Sequence, residues 1–110
     1  MYRVSKRIEV AGAHRLNLDY ESKCENLHGH NWIITIHMQS ETLDKNGMVA
    51  DFTEIKKKIH GVLDHKYLND IVDFNPTAEN MARWIADTLG EKCYWVQVQE
   101  SEGNVAEYER

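Results

Sequence analysis

His28-Gly29-His30-Asn31-Trp32-Ile33-Ile34-Thr35-Ile36-His37-Met38 is rich in β-branched residues, and its even positions form one series: His28, His30, Trp32, Ile34, Ile36 and Met38. Successive side chains of a strand point to opposite faces. The stretch therefore reads as a strand with one packed face, and the first two residues on that face are imidazoles. Upstream, Tyr2 to Val10 alternates as well. Tyr2, Val4, Ile8 and Val10 share one parity and Arg3, Ser5, Arg7 and Glu9 the other, with Lys6 as the single defect. That is a second half-buried strand. Asn17 to Asn26 is polar and aperiodic and reads as a loop.

Downstream, Lys45-Asn46-Gly47 signals a turn. Asp51 and Glu54 have the spacing of a capping box, and Phe52, Ile55, Ile59, Val62 and Leu63 then recur at helical spacing with lysines opposite. A second helix follows Asn75-Pro76-Thr77, with Asn75 or Thr77 as its cap and Ala78, Met81, Ala82, Ile85 and Leu89 as its stripe. Gly90 is its stop. Tyr94–Glu100 and Val105–Tyr108 read as two further strands joined by a turn at Glu102-Gly103-Asn104. The order strand, strand, helix, helix, strand, strand predicts an α+β domain: a four-stranded antiparallel sheet with both helices on one face. Such a sheet has two open edges, which must be covered or paired, and this points to self-association.

The chain has 110 residues and a formal net charge of −5. This length fits one domain, 1–110. Lysines and arginines are scattered and form no basic run, which excludes nucleic acid as an expected partner. No apolar stretch approaches the roughly 20 residues that cross a bilayer, and the first ten residues lack the apolar core of a secretion signal. The expectation is a cytoplasmic protein without a membrane partner. Two cysteines, Cys24 and Cys93, are expected to be free thiols there.

His28-Gly29-His30 carries the most chemistry. Two imidazoles two apart on a strand project from one face and can converge on one ion. His14 lies at the end of the first strand and shares its inward parity if Gly12 does not bend the chain. If the two strands form a hairpin, His14 comes opposite the pair, and the loop from Leu16 to Leu27 arches over them. Three neutral imidazoles with a fourth position open suit a catalytic zinc. With Cys24 as a fourth ligand the same residues make a closed structural site, and the spacing permits that as well. Asp64 and His65 alone read as a helix end, where histidine favours the negative pole of the dipole. Glu100 alone reads as a strand-end charge, Cys24 as a loop thiol, Cys93 as packing, and His37 and His60 as uninvolved.

Six segments appear in one order: Ala13-His14-Arg15-Leu16, Cys24-Glu25-Asn26-Leu27-His28-Gly29-His30-Asn31, Asp51-Phe52, Leu63-Asp64-His65-Lys66-Tyr67-Leu68-Asn69-Asp70, Asn75-Pro76-Thr77-Ala78-Glu79-Asn80 and Gln99-Glu100-Ser101. Together they resemble the 6-pyruvoyltetrahydropterin synthase family over nearly the whole chain, and within it most nearly the queuosine-pathway branch that makes 6-carboxy-5,6,7,8-tetrahydropterin. The resemblance implies a tunnelling fold, in which subunits pair strand edges into a barrel. It further implies a homo-oligomer, a trimer or a hexamer, with sites at subunit interfaces. The implied substrate is 7,8-dihydroneopterin triphosphate; the implied products are 6-carboxytetrahydropterin, acetaldehyde and triphosphate.

By resemblance, His14, His28 and His30 match the zinc ligands and Cys24 the catalytic thiol. Asp64 and His65 match the dyad that assists it, Glu100 the carboxylate that anchors the pterin, and Thr77 a position near the pterin pocket. Val10 and Gly12 depart from the commoner Phe and Ala. Glu25 opens an alternative, because a subgroup of the family uses a glutamate in place of the cysteine and cleaves the side chain to 6-hydroxymethyl-dihydropterin for folate. Here both bases are present, so dual activity, like the 6-pyruvoyl product itself, stays open. Arg15, Lys23 and Lys66 are candidates for meeting the triphosphate. Readings of another class are a non-catalytic zinc-binding module and a pterin-binding protein without activity.

Overall fold

The computed structural model describes residues 1–110. β1 (Tyr2–His14) and β2 (His28–Ser40) form a long antiparallel hairpin. A helix α1 (Phe52–Leu63) follows, then a two-residue strand β3 (Lys66–Tyr67), a single helical turn α2 (Leu68–Ile71), helix α3 (Ala78–Leu89) and the strands β4 (Cys93–Ser101) and β5 (Asn104–Glu109). The sheet order is β3-β1-β2-β4-β5. The expected four strands and two helices are thus five strands and three helices. The all-antiparallel sheet gains one parallel pair, since β3 runs alongside Gly12 and Ala13 of β1. The loop over 17–26 also contains one 3-10 turn, Lys23–Glu25, capped by Ser22.

Alternation fixes what is inside. Ile8 and Val10 of β1, Trp32, Ile34, Ile36 and Met38 of β2, and Val96 and Val98 of β4 share one buried face. Ile55, Ile59 and Leu63 of α1 and Ala78, Met81, Ala82, Ile85 and Ala86 of α3 join them in one core. The stripe expected for α1 is narrower than read, because Phe52 and Val62 are exposed. Asp51 caps α1 by accepting the Thr53 N–H at 2.8 Å, but Glu54 lies 3.8 Å from Lys57 and the reciprocal half of the box is not made. Thr77 is the cap of α3, accepting the Asn80 N–H at 3.1 Å. Gly90 ends that helix at φ 95°, where a side chain would be strained.

β1 does not bend at Gly12. Its register with β2 runs residue for residue from Tyr2↔Ser40 to His14↔His28. Parity therefore carries the inward face through to His14, and the hairpin alone brings the three histidines to one end of the buried surface. Gly12 has a packing reason, because a Cβ there would stand 3.2 Å from Trp32 Nε1. The indole instead donates to the Gly12 carbonyl at 3.0 Å.

Candidate metal and active site

Gly12 pairs with His30 and His14 with His28, so the imidazoles form a triangle. The centroid separations are 4.5 Å for His14–His28, 5.2 Å for His14–His30 and 4.9 Å for His28–His30. Each ring offers a ligand nitrogen, and the three nitrogens lie within 4.8 Å of one another. Trp32 packs edge-on beneath His14 and His30, at 4.9 and 5.5 Å, and limits their rotation.

The ring protons are placed by backbone carbonyls. His14 Nδ1 is 2.8 Å from the Pro76 carbonyl, and His28 Nδ1 is 2.7 Å from that of Asn26. A carbonyl only accepts, so Nδ1 donates in both, and in the neutral ring Nε2 then carries the lone pair. Outer partners of this kind orient metal-ligating histidines. Burial holds His14 below the usual imidazole pKa; the Pro76 carbonyl opposes that shift, and His28 adds to it. The ring is thus neutral, as a ligand must be. The Nε2 atoms of His14 and His30 are buried and without a hydrogen-bond partner. Buried polar atoms rarely stay unpaired, and a cation at the centre of the triangle would satisfy both. The donor set fits a borderline metal such as zinc.

Glu100 follows Gln99, the residue opposite Ile33 of β2, and its carboxylate reaches the triangle. Oε1 is 3.4 Å from His30 Nε2 and Oε2 4.0 Å from His14 Nε2. Glu100 also lines a groove of about 470 Å³ between the β4–β5 hairpin and the first turn of α3. Thr77 follows Pro76, whose carbonyl holds His14, so the start of α3 adjoins the site too.

Cys24 and the dyad stand apart from the triangle. The Cys24 sulfur is not in the cluster of converging donors, and the backbone carbonyl of Cys24 accepts the Leu16 N–H at 3.0 Å. Neighbouring Glu25 uses its backbone carbonyl to hold the Arg15 guanidinium at 2.7 Å. Asp64 Oδ1 accepts the Ala11 N–H at 2.9 Å. Its Oδ2 lies 3.6 Å from His65 Nε2 and 3.4 Å from His60 Nε2. The Ala11 N–H, ahead of the two imidazoles, holds this carboxyl below its usual range. The sequence gives His60 no role, and the structure adds only its contact with Asp64. Its spacing of four from Asp64 on one helix was the available signal. Trp32 could have been found by its shared parity with His30, whereas nothing local announces the Pro76 and Asn26 carbonyls. Arg15, Lys23 and Lys66 are exposed and form no cluster.

Fold and site together define an α+β domain that presents a strand-borne histidine triad beside a carboxylate. A family model described as 6-pyruvoyl tetrahydropterin synthase matches residues 3–110, and the chain belongs to that family. It is 30% identical over 95 residues to the 6-carboxy-5,6,7,8-tetrahydropterin synthase of Bacillus subtilis, a match over 80% of this chain and 65% of that protein. The chain thus spans just under two thirds of that relative. It is 38% identical over 90 residues to the dihydroneopterin monophosphate aldolase of Pyrococcus furiosus, covering 79% of this chain and 74% of that one. Among solved structures, the Caenorhabditis elegans 6-pyruvoyl tetrahydropterin synthase superposes with a TM-score of 0.78 at 26% identity, over 99% of this chain and 95% of the other. No helix here is long and apolar enough to cross a membrane.

Proposed function

We propose that this chain is a zinc-dependent lyase that converts 7,8-dihydroneopterin triphosphate to 6-carboxy-5,6,7,8-tetrahydropterin, acetaldehyde and triphosphate. One observation carries the reading: three imidazoles, two of them with ring protons placed by backbone carbonyls, converge beside a carboxylate and a groove, in a chain that resembles 6-carboxytetrahydropterin synthases over most of its length. His14, His28 and His30 hold the zinc. When bound, the ion supplies a Lewis acid that draws electron density from the substrate's side-chain oxygens and acidifies the adjoining C–H.

The other steps belong to side chains. Cys24, as thiolate, takes and returns a proton at the side-chain carbons, which requires a cation nearby to keep the sulfur ionised. His65 supplies that positive charge and a second proton site, with Asp64 orienting its ring. Glu100 accepts two hydrogen bonds from the amino-pyrimidine edge of the pterin, and Thr77 lies beside that ring.

Within one chain the triad, Glu100 and Thr77 are neighbours, but Cys24 and the Asp64–His65 pair are bonded elsewhere. A working site assembled from more than one copy accounts for this. β3 covers only Gly12 and Ala13 of β1, so most of β1 offers an open strand edge, as does β5. Those edges support pairing into a homo-oligomer, a trimer or a hexamer.

A second reading is cleavage of the side chain to 6-hydroxymethyl-dihydropterin. Glu25 beside Cys24 and the 38% identity to a protein named as an aldolase favour it. Incubation of the zinc-loaded protein with 7,8-dihydroneopterin triphosphate, followed by mass spectrometry, decides the matter. The 6-carboxy product with acetaldehyde, lost in Cys24→Ala, supports the first reading. The hydroxymethyl product, lost in Glu25→Gln, supports the second. Unchanged substrate from folded, metal-loaded protein overturns both.

A further inference from the structure

Glu100 has an unusual neighbourhood for a carboxylate. An ionised carboxylate only accepts hydrogen bonds. The atoms it approaches are Nε2 of His30 at 3.4 Å and Nε2 of His14 at 4.0 Å. For His14 the Pro76 carbonyl has already taken the ring proton on Nδ1, so a lone pair faces the carboxylate. Neither Nε2 makes a hydrogen bond. Lone pair against anion is repulsive. The arrangement becomes favourable once a cation lies between them.

The spacing is also that of a coordination shell. Two ligands bound to zinc at about 2.0–2.1 Å and at the tetrahedral angle stand roughly 3.4 Å apart. The His30 Nε2–Glu100 Oε1 distance matches that edge. The side chain is held in place from its own strand, since Gln99 is in register with Ile33 and only the bulge at Gln99/Ser101 frees the residues beyond it. Glu100 is the residue at that bulge, a device that commonly re-aims a side chain.

We infer that Glu100 is the fourth ligand of the resting metal site, so that the site is closed until a pterin draws the carboxylate away. This rests on the reading of His14, His28 and His30 as the metal triad, and it deepens that reading. Both carboxylate oxygens face the triangle, Oε1 toward His30 and Oε2 toward His14, so accepting both hydrogen bonds of an amino-pyrimidine edge requires the carboxylate to turn away from the ion. Binding of the ring therefore exchanges Glu100 off the metal and vacates the coordination position that the substrate's side-chain oxygens need. The ion is exposed as a Lewis acid only when the correct ring is present, which protects it from water and stray anions between turnovers.

The test uses the full chain without substrate. Zinc affinity is measured by chelator competition for the wild type, Glu100→Gln and Glu100→Asp, with circular dichroism to verify folding. Cobalt-substituted protein is then followed by visible absorption. The expected result is a loss of zinc affinity of roughly tenfold or more in Glu100→Gln, at least the penalty of losing an outer-shell partner, with partial recovery in Glu100→Asp. Pterin itself, which lacks the reactive side chain, should shift the wild-type cobalt spectrum toward that of Glu100→Gln and leave the variant's spectrum unchanged. Equal affinities and identical cobalt spectra in wild type and Glu100→Gln would overturn the assignment of Glu100 while leaving the triad intact. Failure of the wild type to bind zinc would overturn the triad and Glu100 together.

Discussion

Asp64 is tied to Ala11 across two elements: its Oδ1 accepts the Ala11 N–H at 2.9 Å, while the N–H of His65 donates to the Ala11 carbonyl at 2.7 Å. The end of α1 thus pairs with the edge of β1 as a strand would, and β3 continues the pairing for two more residues. The Ala11 N–H holds the Asp64 pKa below that of an unfolded chain. A carboxylate of lowered pKa contributes stability above its unfolded pKa, near 3.9, and loses it as pH falls through the folded value. Asp64→Ala should therefore have a lower urea midpoint than the wild type at pH 7, with a gap that narrows below about pH 4. A gap of the same size at every pH would show that the ionised form is not what holds Ala11.

His65 has a positive φ of 57°, a conformation that costs an L-residue about 1–2 kcal/mol. Glycine would adopt this conformation without steric cost, and the imidazole is largely exposed, so the side chain is expected to serve the reaction rather than the fold. His65→Gly removes the strain together with the imidazole. Its thermal midpoint should equal or exceed that of the wild type, while turnover falls by about 10²–10⁴, the range for a lost acid–base group. His65→Val should lose both activity and stability. If His65→Gly unfolded more readily than the wild type, the residue would be serving the fold.

Trp32 couples the core to the histidines. Its indole N–H satisfies the buried Gly12 carbonyl, and its ring backs His14 and His30. Trp32→Phe keeps most of the apolar volume but leaves that carbonyl unpaired, at about 1–3 kcal/mol. Zinc affinity should fall by about tenfold, because two ligands lose the surface that orients them. Denaturant titration of the metal-free protein and chelator competition measure the two effects separately. A stability loss with unaltered zinc affinity would mean that the triad is held by the hairpin and the Pro76 and Asn26 carbonyls alone.

What could be read from sequence follows from how local each signal is. Alternation in Tyr2–Val10 and His28–Met38 is a property of each strand by itself, and it carried the hairpin, the inward face and the histidine triangle together. β3 and α2 left no such trace. Two residues cannot show a period, and Lys66–Tyr67 become a strand only because Gly12 and Ala13 lie beside them. The sequence offers Asn75 only as a possible helix cap, and nothing in it shows that the side-chain amides of Asn69 and Asn75 clamp the backbone of Arg15 and Asn17 just after His14. Phe52 fitted the helical stripe but sits exposed in the first turn, where the Lys6 ammonium lies 5.9 Å from its ring. His60 stands among lysines on its helix, yet its four-residue step to Asp64 brings the imidazole within 3.4 Å of that carboxylate.

The two thiols give a last discrimination between an enzyme and a structural metal module. Cys93 is fully buried, and that burial pushes its thiol above the ordinary range, so it should resist alkylation until the domain opens. Cys24 is half-buried in the 3-10 turn, and its sulfur lies outside the converging donors. With zinc bound, iodoacetamide should therefore modify Cys24 alone, at a rate that zinc does not slow, and mass spectrometry of the digested protein would locate the label. The label on Cys93 should appear only with the rate of global opening, rising with urea in step with the unfolding transition. A ligated thiolate is shielded from alkylation. Zinc-dependent protection of Cys24 would thus mean that sulfur, not Glu100, completes the shell, and the chain would be a closed structural site rather than a catalyst.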